Sequence, residues 1–398
     1  MKINTDPKKI EEALTRRVEQ VLPDKARLKR LMRQRQIKLY LGIDPTGSQL
    51  HLGHAIPLRK IQEFADLGHE AILVFGTGTV LAGDPSQREA ARPRISPKEI
   101  EENIKNWKEQ ANKIIDFSKV KIKYNGDWLL KLGLKEIIDI ASNISAIKLF
   151  QRDMFQERIR KKETVWMHET LYPLLQGYDS VFLDIDLEVG GTDQVFNMLI
   201  GRELEQKMKG KEKFVLTCPM LLGIDGKTMS KTSGNCVWIS ESPDQMFGKL
   251  MSMPDSLIIP YFELVTDTPE KTIKKYREDL KAKKVNPRDL KAKLAFEIVR
   301  MYHSLRAAQK AEKEFNKVFR QKELPRDIPG IKIKEKSLLL VDLLLKAKLV
   351  SSKAEARRLV QQKGVKINGR SQDNWQKRIG IERGMIVQVG KRRFAKIR

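Results

Sequence analysis

The chain has 398 residues and a mass of 45.9 kDa, enough for two or three domains that each bury a core. Apolar residues at 40% exclude a disordered chain, the two cysteines Cys218 and Cys236 exclude a disulfide framework, and no run of 18 apolar residues is there to span a bilayer. Lys and Arg number 77 against 51 Asp and Glu, a net charge of +26, which points to a polyanionic partner, nucleic acid ahead of a membrane surface.

Residues 1–36 read as helical and basic, interrupted at Pro23, without the apolar stretch of a secretory signal, and a reducing cytoplasm suits the cysteine usage. Lys38 to Ile43 is a short apolar strand, His51 to Leu67 a helix closed by Gly68, and Ala71 to Phe75 a second strand. Strands alternating with helices of this length imply right-handed βαβ units on a parallel sheet. Residues about 98–168 read as mostly helical, an insertion in that α/β domain, and residues 270–322 as helical and charged. Pro325, Pro329 and Gly330 then punctuate the chain ahead of a basic module, 337–398, with 16 Lys or Arg against 4 Asp or Glu. In it a helical pattern starts at Ser337 and runs to about Lys348. Ser351-Ser352-Lys353 caps a second helix with Ala354, Ala356, Leu359 and Val360 on one face and Arg357, Arg358 and Lys363 on another. Val365 to Gly369 is a strand entering an Asn-Gly turn before Arg370.

The chemistry concentrates where the first strand ends. Gly42-Ile43-Asp44-Pro45-Thr46 leaves the strand and His51-Leu52-Gly53-His54 opens the helix. Such a turn sets unpaired backbone N–H groups and the positive end of a helix dipole at the sheet's carboxyl edge, an anion site by geometry. Histidines at i and i+3 share a helix face and can both donate to a phosphate; packing and metal ligation are the competing uses, although no cysteine is near to complete a tetrahedral set. Gly76-Thr77-Gly78 lacks the third glycine of a dinucleotide fingerprint, and Gly223 to Thr228 lacks the glycine spacing of a P-loop. Tyr172, Gln176 and Asp179 share one helical face, a polar set that is unlike plain core; Asp84 before Pro85 suits a turn equally well.

With these residues in view, the chain resembles a class I aminoacyl-tRNA synthetase. HLGH matches the family's "HIGH" motif, and Lys227-Thr228-Met229-Ser230-Lys231-Thr232-Ser233 matches its "KMSKS" loop, with Thr228 where the first lysine is usual. Leu39 to His54, Gly83-Asp84-Pro85-Ser86, Tyr172 to Asp179 and Gly190-Gly191-Thr192-Asp193-Gln194 are most similar to tyrosyl-tRNA synthetases of the bacterial kind. The C-terminal module is similar to the small RNA-binding domain shared by a ribosomal small-subunit protein and pseudouridine synthases. The resemblance implies an α/β fold class: a Rossmann-like parallel-sheet catalytic domain over 1–225 with its helical dimerisation insertion at about 98–168, a KMSKS-type loop and helical anticodon-side domain over 226–330, and a small α+β C-terminal RNA-binding domain over 337–398.

It also implies roles. His51, His54, Thr46 and Lys231 hold the phosphates of ATP, with Mg²⁺ travelling on ATP and no metal site of the protein's own. Gly42, Asp44, Gly191, Asp193, Lys227 and Lys231 bind the nucleotide, and Arg88 and Arg92 reach phosphate across the cleft. Tyr40 and Asp179 read the phenol of L-tyrosine, Asp84, Tyr172 and Gln176 surround its α-ammonium, and Gln194 sits by its carboxylate. Phenylalanine would leave a buried hydroxyl and carboxylate unpaired. Lys353, Arg357, Arg358, Lys363 and Arg370 grip RNA. The implied enzyme is a tyrosine–tRNA ligase, homodimeric and cytoplasmic, with tRNA(Tyr), L-tyrosine and ATP as partners and no membrane. A tryptophan-specific relative and an RNA-binding protein that lost catalysis are the rival readings.

Overall fold

The computed structural model describes residues 3–84, 95–229, 233–320, 328–333, 335–390 and 393–398. They form two compact units, 1–242 with 249–304 and 243–248 with 305–398.

In the first unit, α1 (Pro7–Ala13), β1 (Gln20–Leu22) and α2 (Lys25–Gln34) precede β2 (Lys38–Ile43), α3 (Leu52–Asp66) and β3 (Glu70–Phe75). The chain continues through α4 (Thr79–Ala82), α5 (Pro97–Ala111), β4 (Val120–Tyr124), α6 (Gly126–Leu129), α7 (Leu134–Ala141), α8 (Ala146–Phe150) and α9 (Asp153–Arg160). Then come α10 (Met167–Leu183), β5 (Leu187–Gly191), α11 (Val195–Lys209) and β6 (Phe214–Cys218). After α12 (Pro243–Met251) follow α13 (Ile258–Val265), α14 (Glu270–Lys281) and α15 (Pro287–Tyr302).

One six-stranded sheet runs β1-β6-β5-β2-β3-β4, parallel except for β1. From β2 the chain moves one way to β3 and β4, then returns to lay β5 and β6 on the other side of β2. Right-handed crossovers in opposite directions place helices on both faces and open a crevice at the carboxyl ends of β2 and β5. The central strands β2, β3, β5 and β6 are largely buried and apolar, as a doubly covered sheet requires, while the edge strands β1 and β4 are not.

Four strands of this sheet went unread in the sequence, β1, β4, β5 and β6, and two of them lie in stretches read as helical. β1 lies in the stretch expected to be helical and pairs with the free edge of β6, Val21 opposite Leu216. β4 lies inside 98–168 and pairs parallel with β3, so α5 is a crossover helix of the sheet itself. Only Val120 on β4 is fully buried, and its Lys-Ile-Lys alternation is too short to stand out among helical neighbours.

α10 and α11 cross at two glycines. A Cβ on Gly177 would sit 3.1 Å from the Gly201 Cα, so the backbones themselves are in contact. α11 also buries Glu205, whose two carboxylate oxygens have no hydrogen-bond partner among the described residues.

The second unit holds α16 (Leu305–Arg320), β7 (Gly330–Ile331), β8 (Ser337–Leu339), α17 (Leu340–Lys346), α18 (Lys353–Gln361), β9 (Val365–Ile367), β10 (Arg370–Gln372), β11 (Arg378–Gly380), β12 (Ile386–Val389) and β13 (Arg393–Ile397). A sheet in the order β10-β9-β12-β13-β7 packs on Leu340, Leu343, Leu344 and Val360. Ser352 caps α18 by accepting from the Glu355 N–H at 3.1 Å, as its sequence signature predicts. Asn368 at φ 46° and Gly369 at φ 81° make the tight hairpin turn between β9 and β10. Ala354, expected on the buried face of α18, is exposed. Among the described residues no helix is long and apolar enough to cross a membrane.

Burial pushes the Glu205 carboxyl up to about 7, against the pull of Lys209, Lys211 and Lys213. The folded state therefore keeps a proton that the unfolded chain releases near pH 4.5, and stability falls as pH rises between those values. Glu205→Gln is expected to stabilise by about 1–3 kcal/mol above pH 7 and by little near pH 4.5, as read by urea unfolding across pH. A difference independent of pH would contradict the burial of a proton-bearing acid.

Candidate active site

The crevice at the switch point is a cleft of about 720 Å³. Thr46, His51 and His54 line it, with Gly42, Gly191 and Asp193 in the same lining. Asp44, Asp84, Tyr172, Gln176, Asp179 and Gln194 line the same cleft.

α3 begins in an unusual way, because both caps are histidines. His51 accepts the Gly53 N–H on Nδ1 at 3.1 Å, and His54 accepts the His51 N–H on its own Nδ1 at 3.1 Å. A ring nitrogen that accepts is unprotonated, so each neutral ring carries its proton on Nε2. Both imidazoles are donors without needing to be charged. The rings lie 3.8 Å apart, and a Cβ on Gly53 would come within 2.9 Å of the His51 Nδ1. Gly53 thus keeps the cap formed.

The other motif's stem is tied to this point. Leu52 donates to the Val237 carbonyl at 3.0 Å and Ile239 to that of Leu50 at 2.9 Å. The Asn235 amide donates to Asp225 at 2.9 Å and to the Thr228 carbonyl at 3.0 Å, closing the base of the loop. Met229 lines the cleft, whereas Lys227 is exposed and does not. Lys231, Arg88 and Arg92 lie outside the described residues, as do Pro85 and Ser86.

Deeper in, polar groups answer one another. Asp44 accepts from the Tyr172 hydroxyl at 2.9 Å and from Thr79 at 2.7 Å. Gln194 donates to Asp84 at 2.9 Å and to Asp193 at 3.1 Å, and its carbonyl accepts from Asn197 at 2.8 Å. Asp179, 2% exposed, accepts from Asn125 Nδ2 at 3.0 Å and Trp128 Nε1 at 2.9 Å. Burial pushes its carboxyl up to about 8, with those two hydrogen bonds opposing. Tyr40 does not line the cleft. It is fully buried, its hydroxyl 3.2 Å from both the Gln176 carbonyl and Ser180 Oγ, and burial followed by Glu188 and Asp179 raises its pKa.

Thr79, Asn125, Trp128 and Glu188 were missed by sequence reasoning. Thr79 opens α4 after the turn that leaves β3, Asn125 follows directly on β4, and Glu188 lies within β5; had β4 been read as a strand of the sheet, Asn125-Gly126-Asp127-Trp128 would have fallen at its carboxyl end, where sites form.

In the second unit, Lys353, Arg357, Arg358, Lys363 and Arg370 are all exposed. The Arg357 guanidinium lies over Trp375, 4.3 Å from the ring centre, and Lys353 pairs with Asp342 at 2.9 Å. The arrangement presents cations with one aromatic plane, a surface suited to phosphates and stacked bases.

Known proteins match this description. A family model described as "tRNA synthetases class I (W and Y)" matches residues 32–320, and one described as "Tyrosine--tRNA ligase SYY-like C-terminal domain" matches residues 320–397. The chain is 41% identical over 392 residues to the tyrosine--tRNA ligase of Thermotoga maritima, spanning 98% of each. It is 40% identical over 396 residues to that of Haemophilus influenzae, spanning 99% of this chain and 98% of the relative. The fold is similar to tyrosyl-tRNA synthetase complexed with L-tyrosine from Archaeoglobus fulgidus, with a TM-score of 0.63 and 23% identity over 77% of this chain and 100% of that one. It is also similar to a C-terminally truncated mitochondrial tyrosyl-tRNA synthetase of Aspergillus nidulans, with a TM-score of 0.66 and 21% identity over 78% and 94%. The chain belongs to the class I tRNA synthetases of the W and Y kind and, within them, to the tyrosine–tRNA ligase family.

The cleft leaves no room for a side chain at residue 76. A Cβ there would sit 1.9 Å from Asp44 Oδ1 and 2.4 Å from Thr79 Oγ1. Gly76→Ala is expected to destabilise by about 1–3 kcal/mol in urea unfolding as Asp44 is displaced. Gly380→Ala, which meets nothing within 4 Å, is the neutral control.

Proposed function

We propose that this chain acts as a tyrosine–tRNA ligase: it joins L-tyrosine to ATP as tyrosyl-adenylate, releasing pyrophosphate, and passes the tyrosyl group to the 3′ end of tRNA(Tyr). The observation that carries the reading is a single cleft with two neutral imidazole donors at a helix N-terminus and an acid- and amide-lined pocket beside them. No nucleophile of the protein is required. The tyrosine carboxylate attacks the α-phosphorus, the bond to the β-phosphate oxygen breaks, and the protein's work is alignment and stabilisation of phosphate charge.

His51 and His54 donate from Nε2 to phosphate oxygens where charge grows, Thr46 adds a neutral donor, and the positive end of the α3 dipole lies behind them. Lys231 supplies a cation to the phosphates and Lys227 the charge that Thr228 lacks. Mg²⁺ arrives on ATP, held by its phosphate oxygens, as part of the substrate. Gly42, Asp44, Gly191 and Asp193 accommodate the adenosine. The amino acid lies among Asp84, Tyr172, Gln176, Asp179 and Gln194, with Asp179 on its phenol. Tyr40 completes the phenol site by exchanging its contact with Gln176 or Ser180 for one with substrate. The exposed cations of α18 and β10 hold tRNA backbone.

The division of labour follows the chain: catalysis over 1–225, the loop and anticodon-side helices over 226–330, RNA contact over 337–398. α7 turns Leu134, Ile137 and Ile138 outward on one face, and Ile147 and Met167 are also exposed. Apolar side chains left in water this way support a homodimer through the insertion. Cys218 and Cys236, both buried, suit a reducing cytoplasm.

ATP–pyrophosphate exchange with tyrosine, tryptophan and phenylalanine tests the activity; exchange driven by tryptophan alone would overturn it. Asp179→Ala is expected to cut the preference for tyrosine over phenylalanine by about tenfold, the weight of one buried hydrogen bond, and unchanged selectivity would remove Asp179 from the phenol site. Light scattering is expected to give twice the 45.9 kDa chain mass, falling to one chain in Leu134→Glu/Ile138→Glu; a monomer in both would place the interface elsewhere.

A further inference from the structure

Beneath the amino-acid pocket lies a buried ion pair with an unusual reach. Glu188 on β5 stands directly opposite Tyr40 on β2. Lys213, just before β6, is fully buried, and Glu188 is 1% exposed. The Lys213 ammonium donates to Glu188 Oε2, to Ser180 Oγ at 2.7 Å and to the Met198 carbonyl at 3.2 Å, which uses all three of its N–H groups. The other Glu188 oxygen accepts from Gln176 Nε2 at 2.9 Å. Ser180 Oγ in turn lies 3.2 Å from the Tyr40 hydroxyl. The space is cut for that ammonium, since a Cβ on Gly201 would lie 2.5 Å from Lys213 Nζ.

The direction of this chain is forced. An ammonium only donates and a carboxylate only accepts, so Gln176 has to offer its NH₂ to Glu188. Its Oε1 is then left as an acceptor, buried, with no partner among the described residues, on a side chain that lines the cleft. An acceptor prepared in that way beside Asp84 and Tyr172 fits a cationic group of the substrate.

We propose that the Lys213–Glu188 pair is a positioning device for the amino acid: it locks the Gln176 amide with its oxygen toward the α-ammonium and, through Ser180, steadies the Tyr40 hydroxyl. The proposal rests on the reading of this pocket as the tyrosine site. Glu188 borders the cleft but is 1% exposed, and Lys213 lies outside its lining; both act through Gln176 and Ser180.

The sharpest test is the isosteric Glu188→Gln. The new amide gives its oxygen to Lys213 and its NH₂ to Gln176, which must then turn its own oxygen inward and its NH₂ toward the ammonium. In pyrophosphate exchange the KM for tyrosine is expected to rise about tenfold to a hundredfold, with the KM for ATP within about twofold of the parent. Inhibition by 3-(4-hydroxyphenyl)propionate, which lacks the ammonium, is expected to stay unchanged. In Lys213→Met/Glu188→Gln the amide is released, can face its oxygen back to Gln176 and leaves no lone charge buried, so the tyrosine KM is expected to recover to within about tenfold of the parent. Equal weakening of tyrosine and the des-amino acid, a matching rise in the ATP KM, or a double variant worse than Glu188→Gln would overturn the positioning role. Should Glu188→Gln fail to fold, the double variant decides alone by the same comparison of tyrosine with the des-amino acid. A parent that exchanges no pyrophosphate with tyrosine would instead overturn the reading of the pocket.

Discussion

A polar group taken out of water has to find a partner, and that constraint organises the cleft more than any single residue does. At the start of α3 the N–H groups of His51 and Gly53 have no helical carbonyl to bond; His54 and His51 take them on Nδ1, and this fixes the proton of each ring on Nε2. The helix cap and the donor pair are therefore one feature. The same logic holds at depth. Asp44 is oriented by Tyr172 and Thr79, Asp179 by Asn125 and Trp128, and Gln176 by Glu188, so the pocket is aligned before any ligand arrives.

The sheet supplies the place where these groups meet. Because β3 and β5 both neighbour β2, the turns after β2, β3 and β5 open onto one crevice, and α10 reaches it from one face. Contact between α10 and α11 at Gly177 and Gly201 brings Ser180 within reach of Lys213. Gly53 and Gly76 serve a similar purpose at the rim, where a Cβ would strike the His51 ring or Asp44. At Gly53, Gly76 and Gly201 glycine lets polar side chains approach backbone.

Much of the site was legible because its residues are close in sequence and chemically distinctive. HLGH after Gly-x-Asp-Pro-Thr, and Tyr172, Gln176 and Asp179 on one helical face, announce themselves by spacing, and the cleft gathers them. The helix of the C-terminal module was legible for the same reason, down to Ser352 and Glu355 at its start. What stayed hidden depends on distant pairing. β1 and β4 are short and take their order from β6 and β3, a source of stability that no local pattern reports. Asn125 and Trp128 acquire meaning only once β4 carries them to the cleft.

The sequence by itself determined the α/β class, the family resemblance and which polar residues cluster, since periodicity and motif spacing are local properties of a chain. Only the tertiary structure decided how those residues point. Tyr40 sits behind the pocket wall rather than in it, Lys227 stands in solvent, and a lysine and a glutamate 25 residues apart meet beneath Gln176. Orientation of this kind comes from satisfying donors and acceptors contributed by separate strands and helices, and that balance exists only after the layers have packed.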